Sequence, residues 1–575
     1  MMRVTIDGIT TEVAAGTTIL KAAQEIGIKI PTLCYHPDQD IKANCRICVV
    51  EVEGQRVLQP ACSFPCSDGM VVHTNSPRAR KARNNILELI LAHHAQDCLH
   101  CARNNNCELQ TIVADMNYTR EPRYPLHIRG NGKDTSSPSI VRDPSKCINC
   151  GRCEWACTHF QSVDALARTN RSFETFVSTV YDQPIANTVC VGCGQCVQAC
   201  PVGALTIHDD TDLVWEAIDN KEKTVVAQVA PAVRVNLAEA LGEEPGTIST
   251  GRLVTAMKML GIDTVFDTDF SADLTIMEEG TEFINRLTKG GVLPLITSCS
   301  PGWVKFCETF YPDQLAHLSS AKSPQGMFGA IIKTWYANKL GKKPQDVFSL
   351  SIMPCTAKKY EAKRPELGRD GYQDIDCVLT VQELAKMIRS ANIDFSKLPD
   401  TEFDKPFGLG SGAGIIFGAT GGVMEAALRT VYEIVTGNEL ADINFTAVRG
   451  LNGTREATVQ VGDIPVKVCV TSGLDNARKI MDMVRAGTAD YHFIEVMACP
   501  GGCVGGGGNA YRNWAKVQKR NDATYRVDAE QCPIRQSHKN PAIDELYKDL
   551  GVAPGEGIAH HLFHTHYVDR GSLTE

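Results

Sequence analysis

CINCGRCEWAC (Cys147–Cys157) and CVGCGQCVQACP (Cys190–Pro201) decide how this chain is built, because they are one pattern written twice. Each run spaces four cysteines C-x2-C-x2-C-x3-C, and a proline follows the last cysteine of the second. In that arrangement the fourth cysteine of each run ligates the other run's cubane. The expected partition places Cys147, Cys150, Cys153 and Cys200 on one [4Fe–4S] cluster and Cys190, Cys193, Cys196 and Cys157 on the other. Disulfides or zinc give no reason for two interlocked runs of this spacing. Two such clusters move electrons one at a time, so the rest of the chain must say where they go.

The chain has 575 residues, enough for several domains of about 100–200 residues each. Its 24 cysteines fall in tight clusters, unlike the scattered pairs of a secreted disulfide scaffold, and read as metal ligands in a reducing compartment. Met1–Ile9 lacks the basic and apolar segments of a signal peptide. Apolar runs such as Val292–Ile296 are far shorter than the roughly 20 residues of a membrane span. A net charge of −9 spread along the chain argues against nucleic acid. The expectation is a cytoplasmic, soluble protein whose partners are neither nucleic acid nor membrane.

Around the repeat, the N-terminal 75 or so residues read as a small β-rich unit. RVTIDGITTEV predicts a hairpin around Asp7-Gly8, and TTILKAAQEIGI a helix behind Thr17/Thr18. Cys34, Cys45, Cys48 and Cys62 follow in loops, a set that suits a [2Fe–2S] site although its spacing differs from that of plant ferredoxins. Cys66 lies nearby, and a zinc or redox loop of five cysteines is the alternative. After a predicted helix over 79–93 come His94, Cys98, Cys101 and Cys107, which suit zinc or an iron–sulfur cluster equally by ligand type. Their place between two redox units favours the cluster, with His94 inward and His93 a neighbour. Residues 108–140 read as a polar connector.

Beyond residue 210 the texture changes. EKTVVAQVAPAVR, LPLITSCS, VFSLSIMPC and YHFIEVMACP each set a short, continuous apolar run just before a special residue. Such runs predict strands buried on both faces, as in parallel α/β sheets, whose chemistry gathers at strand carboxyl ends. Three loops stand there: TSCSPGW (Thr297–Trp303), MPCTAKKYE (Met353–Glu361) and EVMACPGGCVGGGG (Glu495–Gly508). They place Cys299, Cys355, Cys499 and Cys503 at strand ends, where four converging thiolates read as a further cluster site. The glycines after Cys503 permit close approach of a bulky cofactor. Cys307, Cys377, Cys469 and Cys532 have no motif around them and read as core cysteines.

These three loops resemble the signature segments of the [FeFe]-hydrogenase catalytic subunit, and the likeness extends over essentially the whole chain, most strongly to the larger clostridial-type enzymes. The resemblance implies α/β and α+β multidomain architecture. Its parts are a β-grasp [2Fe–2S] ferredoxin-like domain (1–78), a His/Cys3 [4Fe–4S] domain (79–125), a bacterial two-cubane ferredoxin domain (126–209), an α/β H-cluster domain (210–530) and a small-subunit-like belt (531–575). The implied cofactors are one [2Fe–2S] cluster, three accessory [4Fe–4S] clusters and an H-cluster, a cubane joined through Cys503 to a two-iron centre carrying CO, cyanide and azadithiolate. The implied reaction is reversible reduction of protons to H2. By the same resemblance, protons pass along Cys299, Glu279, Ser319, Glu282 and Arg286. Lys358 faces an iron-bound cyanide, and Pro231, Gln325, Met353, Phe417 and Met497 pack around the two-iron centre. TIMEE, SSAKSPQ and FGATGGVMEAALR look like further family blocks, and residues 1–160 also resemble the N-terminal part of the large iron–sulfur subunit of respiratory complex I. Read without the family, Glu279, Glu282 and Arg286 at i, i+3 and i+7 form a solvated helix face.

One departure matters. The family's first loop has two adjacent cysteines, the first on the proton path and the second on the cubane; here the pair is Cys299-Ser300. Serine is a poor ligand for iron–sulfur clusters. Either Ser300 binds through oxygen, or the two residues exchange roles, or the cubane is labile. Ala232 stands where a serine is frequent, removing one hydrogen bond to a cyanide. His560, His561, His564 and His566 near the C-terminus suggest a metal site or, by their loose spacing, a surface helix. The implied partners are ferredoxin or a similar carrier, flavoprotein NAD(P)-binding subunits of a multi-subunit or electron-bifurcating enzyme, and maturation proteins. A sensor or cluster scaffold without turnover is the reading from another class.

Overall fold

A computed structural model describes residues 1–130, 132–451 and 453–571. Two compact units emerge: Met1–Thr158 with Asp164–Thr188 and Ala199–Thr206, and His159–Val163 with Val189–Gln198 and Ile207–Glu575.

In the first unit, β1 (Met2–Ile6) and β2 (Ile9–Val13) pair antiparallel across Asp7 and Gly8, whose φ angles of 47° and 85° suit a tight hairpin turn. Helix α1 (Ile19–Glu25) starts where the Thr18 hydroxyl accepts from the Lys21 amide. With β3 (Val49–Val52), β4 (Gln59–Pro60) and β5 (Met70–His73) the sheet runs β2-β1-β5-β3-β4, and Ile19, Leu20, Ala22 and Ala23 pack onto it. Helix α2 (Pro77–Leu91) is capped by Ser76. The connector read at 108–140 begins instead with a helix, α3 (Glu108–Asp115). Leu109 and Ile112 fall one turn apart and bury together, a three-residue spacing too short to show against so many polar neighbours.

The repeat is a repeat of backbone as well as of spacing. Asn149 and Gly192, then Gly151 and Gly194, hold positive φ at matching positions. The amides of Asn149 and Gly192 each donate to the first sulfur of their run, Cys147 and Cys190, at 3.4 Å. Only residues that tolerate the left-handed region can make that turn, which is why Asn and Gly stand there.

The second unit holds two four-stranded sheets where the sequence suggested a parallel architecture. The strands of these two sheets are β6 (Thr224–Val229), β7 (Thr264–Asp267), β8 (Leu295–Ile296), β9 (Val347–Met353), β10 (Cys377–Thr380), β11 (Thr454–Val461), β12 (Ile464–Ser472) and β13 (Phe493–Met497). One sheet, β7-β6-β9-β10, is wholly parallel. The other, β8-β13-β12-β11, is parallel until β11 returns antiparallel on β12. Around them lie α4 (Thr268–Lys289), α5 (Pro301–Phe310), α6 (Gly422–Thr436), α7 (Pro541–Leu550) and α8 (Gly557–Phe563). No described helix is long and apolar enough to cross a membrane.

Two buried charges place α6. Glu495 on β13 accepts from the Gly421 and Met424 amides at 2.7 and 2.6 Å, capping the helix from outside. Arg429 is fully buried and bonds Glu425 at 2.7 Å and Asp528 at 2.9 Å, tying α6 to the helix Trp514–Glu530. Truncating such an arginine leaves Glu425 to Arg449 alone and Asp528 to Arg535 alone, and removes a large buried side chain, at a cost of about 3 kcal/mol. Arg429→Ala is therefore expected to shift the guanidinium midpoint of the second unit sharply down, and an unchanged midpoint would refute the pairing.

Candidate active site

Four parallel strands end at one place. Beyond β6 come Pro231 and Ala232; beyond β8, Cys299 and Ser300. Met353 ends β9 ahead of Cys355, and Met497 ends β13 ahead of Cys499. All of these, with Cys503, Gln325, Lys358 and Phe417, line a cavity of about 80 Å³. The three cysteine loops, remote in sequence, share one wall.

Within it the sulfurs divide. Burial pushes the Cys355 and Cys503 thiols up, that of Cys503 to about 12, and after burial Cys499 is the strongest influence on both. Cys299 stands outside this triad: after burial, the strongest influence on it is Glu279, then Lys358 and Cys503. Ser300 is the N-cap residue of α5, yet its hydroxyl does not bond its own helix. It accepts from the Ala498 amide at 3.3 Å, turned toward the loop that carries Cys499. Ala232 is fully buried, its methyl 3.4 Å from where a Cβ on Gly418 would lie.

The glycine run after Cys503 has a different cause from the one the sequence suggested. A Cβ on Gly506 would lie 2.2 Å from the Pro354 carbonyl oxygen, and one on Gly507 2.4 Å from that of Cys193. The glycines let loop backbones pass each other; the cavity touches only Gly506 among the four that follow Val504.

Lys358 reaches Glu361 at 2.8 Å, the Ser323 hydroxyl at 2.7 Å and the Cys299 carbonyl at 3.2 Å. Gln325 donates to the same Glu361 at 2.9 Å, which leaves its side-chain oxygen buried without a partner. Glu361 and Ser323, which position the lysine, escaped sequence reasoning; an acid three residues after a lysine is an ordinary helix pair.

Behind Cys299 runs a file of polar groups. Glu279 is almost wholly buried and neither carboxyl oxygen has a hydrogen-bond partner of good geometry, although Ser319 and the Ser298 backbone lie close. Burial, with Glu282 adding, pushes its carboxyl up to about 8. The Ser319 hydroxyl donates to Glu282 at 2.9 Å, and Arg286 holds Glu282 at 2.5 Å. Arg286 also bonds the carbonyls of Val292, Ala316 and Leu318. The solvated helix face that the residues alone suggested is thus a covered one.

Cys193 of the second ferredoxin-like run also lines the cavity, and Cys499 adds to the upward push that burial gives its thiol. The Gln195 side chain bonds Cys499 and the Gly505 carbonyl, the latter at 3.2 Å. Cys190 and Cys196 belong to this second unit and Cys157 to the first.

In the first unit, Cys147, Cys150, Cys153 and Cys200 line one small hollow of about 20 Å³, the set expected from interlocked runs. Cys34 contacts Cys45 and Cys62, and Cys62 contacts Cys48. His94, Cys98 and Cys107 line a groove of about 450 Å³, to which Cys101 does not contribute. His94 is buried with Nδ1 on the Lys146 carbonyl at 3.0 Å, whereas His93 bonds the His127 carbonyl and stacks on Phe173. Cys307, Cys377 and Cys469 are buried, and Cys532 is half-buried. His560, His561 and His566 are exposed, and His564 is not.

Soft sulfur donors lining a hollow suit iron–sulfur clusters. In the second unit three facing thiols, the orphaned Gln325 oxygen, an ammonium and a largely apolar wall fit a cubane with a neighbouring metal centre that bears anionic ligands.

Comparison with known proteins agrees along the length of the chain. Residues 223–507 match the family described as iron only hydrogenase large subunit, C-terminal domain, and 515–570 match iron hydrogenase small subunit. Residues 1–77 match a 2Fe-2S iron-sulfur cluster binding domain, 83–122 the NADH-ubiquinone oxidoreductase-G iron-sulfur binding region, and 146–205 a 4Fe-4S dicluster domain. The NADP-reducing hydrogenase subunit HndD of Solidesulfovibrio fructosivorans is 49% identical over 586 residues, covering 100% of both chains. Iron hydrogenase 1 of Clostridium pasteurianum is 41% identical over 99% of this chain and 100% of its own. A structure of apo [FeFe]-hydrogenase HydA1 from Chlamydomonas reinhardtii superposes with a TM-score of 0.57 at 42% identity, covering 62% of this chain and 99% of that one.

The buried Glu279 gives a pH signature of its own. A carboxyl raised from 4.5 to about 8 holds a proton in the folded state that the unfolded chain has lost, so its contribution to stability falls as pH rises through that window. Glu279→Gln removes the effect. Melting of the two proteins at several pH values should show the variant gaining on the wild type between about pH 4.5 and 8, and parallel curves would exclude the shift.

Proposed function

Because this chain belongs to the [FeFe]-hydrogenases as a catalytic subunit with accessory iron–sulfur domains, an oxidoreductase acting on H2, we propose that it interconverts protons and H2 at the cavity walled by Cys299, Ser300, Cys355, Cys499 and Cys503. The observation that carries this reading is that one cavity is lined both by a cluster-type cysteine, Cys193, and by Cys299, behind which stands a buried acid–hydroxyl file led by Glu279. Electrons and protons have separate ways to the same space.

In this reading Cys355, Cys499 and Cys503 would hold the cubane, and Cys503 would also serve the two-iron centre. When bound, that cofactor supplies the redox-active iron at which protons and electrons combine. The chain's own work is delivery and exclusion. Cys299 holds a proton at Sγ over the cavity and Glu279 refills it; Ser319 passes a proton from Glu282, whose far oxygen is held by Arg286. Lys358, fixed by Glu361 and Ser323, presents positive charge to an anionic iron ligand. Met353, Met497, Phe417, Pro231 and Ala232 keep water out, and Gln325 offers its free oxygen.

Cys299 beside Glu279 and Ser300 beside the Cys499 loop support the assignment that keeps the thiol on the proton path and gives the fourth cubane corner to the Ser300 oxygen. Protein made without the two-iron centre tests this by Mössbauer spectroscopy. Ser300→Cys should alter the cubane signature and raise its potential, because thiolate is the softer donor, whereas Cys299→Ala should leave it intact. Loss of the cubane in Cys299→Ala would reverse the roles.

The accessory clusters follow the sequence partition: [2Fe–2S] on Cys34, Cys45, Cys48 and Cys62; a cubane on His94, Cys98, Cys101 and Cys107; and two cubanes on the interlocked runs. The segments 1–78, 79–125, 126–209, 210–530 and 531–575 are the corresponding parts. The donor is ferredoxin or a similar carrier, or, as the name of the 49% identical relative suggests, flavoprotein subunits linked to NADP. Family matches to iron–sulfur and hydrogenase domains take up most of the chain, so nicotinamide chemistry falls to partners.

Fully matured protein should evolve and consume H2 with a dye or ferredoxin, and Glu279→Gln should cut the rate by at least about a hundredfold with accessory-cluster spectra unchanged. A loaded wild type without turnover would return the chain to the sensor or scaffold class. The isolated chain should not reduce NADP with H2, and direct reduction would refute the need for flavoprotein partners.

A further inference from the structure

Building on the proton file above, we propose that His564 is a second proton donor to Glu282, acting through the hydroxyl of Ser320. The C-terminal segment brings it there. After α8 the chain runs beside the Ser319–Lys322 stretch: the Lys322 amide donates to the Phe563 carbonyl at 2.7 Å and the Thr565 amide to the Ser320 carbonyl at 2.8 Å. That pairing lays His564 against Ser320. Nδ1 meets the Ser320 oxygen at 2.8 Å, and Nε2 meets Glu278 at 2.9 Å. Ser320 in turn bonds the same oxygen of Glu282 that Ser319 bonds, through its amide at 3.0 Å and its hydroxyl at 3.3 Å.

Glu278 is fully buried and otherwise occupied by the Tyr547 hydroxyl at 2.5 Å and the Gly555 amide at 2.7 Å. It therefore fixes a hydrogen on Nε2 whichever state the ring takes. The other nitrogen decides what Ser320 does. In the neutral ring Nδ1 accepts, and the Ser320 hydrogen points to it. In the protonated ring Nδ1 donates, and the Ser320 hydrogen is free for Glu282. Transfer then follows in two coupled moves: the Nδ1–H bond breaks as a new Ser320 O–H forms, and the old Ser320 O–H breaks as Glu282 gains a proton. The ring ends neutral, still donating to Glu278 through Nε2, and a proton from solvent must return to Nδ1 of a side chain that is 6% exposed. The groups facing the ring are Glu278 of α4, Tyr547 of α7 through that carboxylate, Glu282 and then Arg286 through Ser320, and His560 of α8, stacked at 4.5 Å.

A structural pin would use the same contacts, so the test must separate the two. In matured full-length enzyme with saturating electron donor, His564→Ala and Ser320→Ala should each slow H2 evolution about threefold to tenfold, with cluster spectra unchanged. Imidazole in solution should recover rate in His564→Ala and none in Ser320→Ala, and the double variant should be no slower than Ser320→Ala alone. Wild-type rate in Ser320→Ala overturns the proposal, as does a multiplicative double variant or an imidazole-insensitive His564→Ala with wild-type spectra. If His564→Ala disturbs the fold, Ser320→Ala, which keeps the histidine, decides alone. A wild type that makes no H2 sinks the functional reading itself, an outcome distinct from these.

Discussion

A parallel strand covered on both faces has nowhere to put chemistry except its ends, because its sides are committed to neighbouring strands and to the helices that bury them. The second unit is arranged around that restriction. β6, β8, β9 and β13 come from two different sheets, yet each stops at the same space, and each is followed at once by residues of its wall. Nothing in a single strand requires this. What enforces it is backbone passing backbone at contact distance, where Gly506 clears the Pro354 carbonyl and Gly507 that of Cys193. A side chain at Gly506 would push the third loop off the second, and one at Gly507 would push it off Cys193, so that the sulfurs would no longer share a wall.

Burial then sets the character of every group at the wall. Thiols removed from water stay protonated unless a cation or metal meets them. Glu279, with no good partner for either oxygen, behaves likewise. Lys358 is paired with Glu361, which is buried beside it. The cavity by itself is thus poorly suited to hold bare charge.

Local spacing made much of this readable. The two cysteine runs, the hairpin at Asp7-Gly8 and the strands before the three loops are contacts between near neighbours, and their patterns survive in the string of residues. The helix Glu108–Asp115 did not show, since two buried positions among polar ones are indistinguishable from a connector. Glu279, Glu282 and Arg286 read by themselves as a solvated face because helical periodicity says which residues share a face, never what covers it. Here the cover is Ser319, Ser320 and the C-terminal segment, some 30 to 280 residues away in sequence. The scattered histidines of that segment carried no spacing signal, and His564 acquires meaning only through its contact with Ser320.

The same geometry bears on why a serine can stand beside Cys299. Adjacent residues entering a helix point in different directions, so the first loop offers its two side chains to different neighbours: Cys299 toward Glu279, Ser300 toward the Ala498 amide near Cys499. A role exchange would have to turn the chain at the start of α5, where Pro301 fixes the first helical residue. It would also pull the Cys299 carbonyl off Lys358 and move the thiol away from Glu279. Replacing the ligand atom at position 300 disturbs one metal corner, whereas moving the thiol disturbs the lysine, the acid and the helix together. Those unequal costs support the proposal of a thiol on the proton path and a harder atom on the cubane.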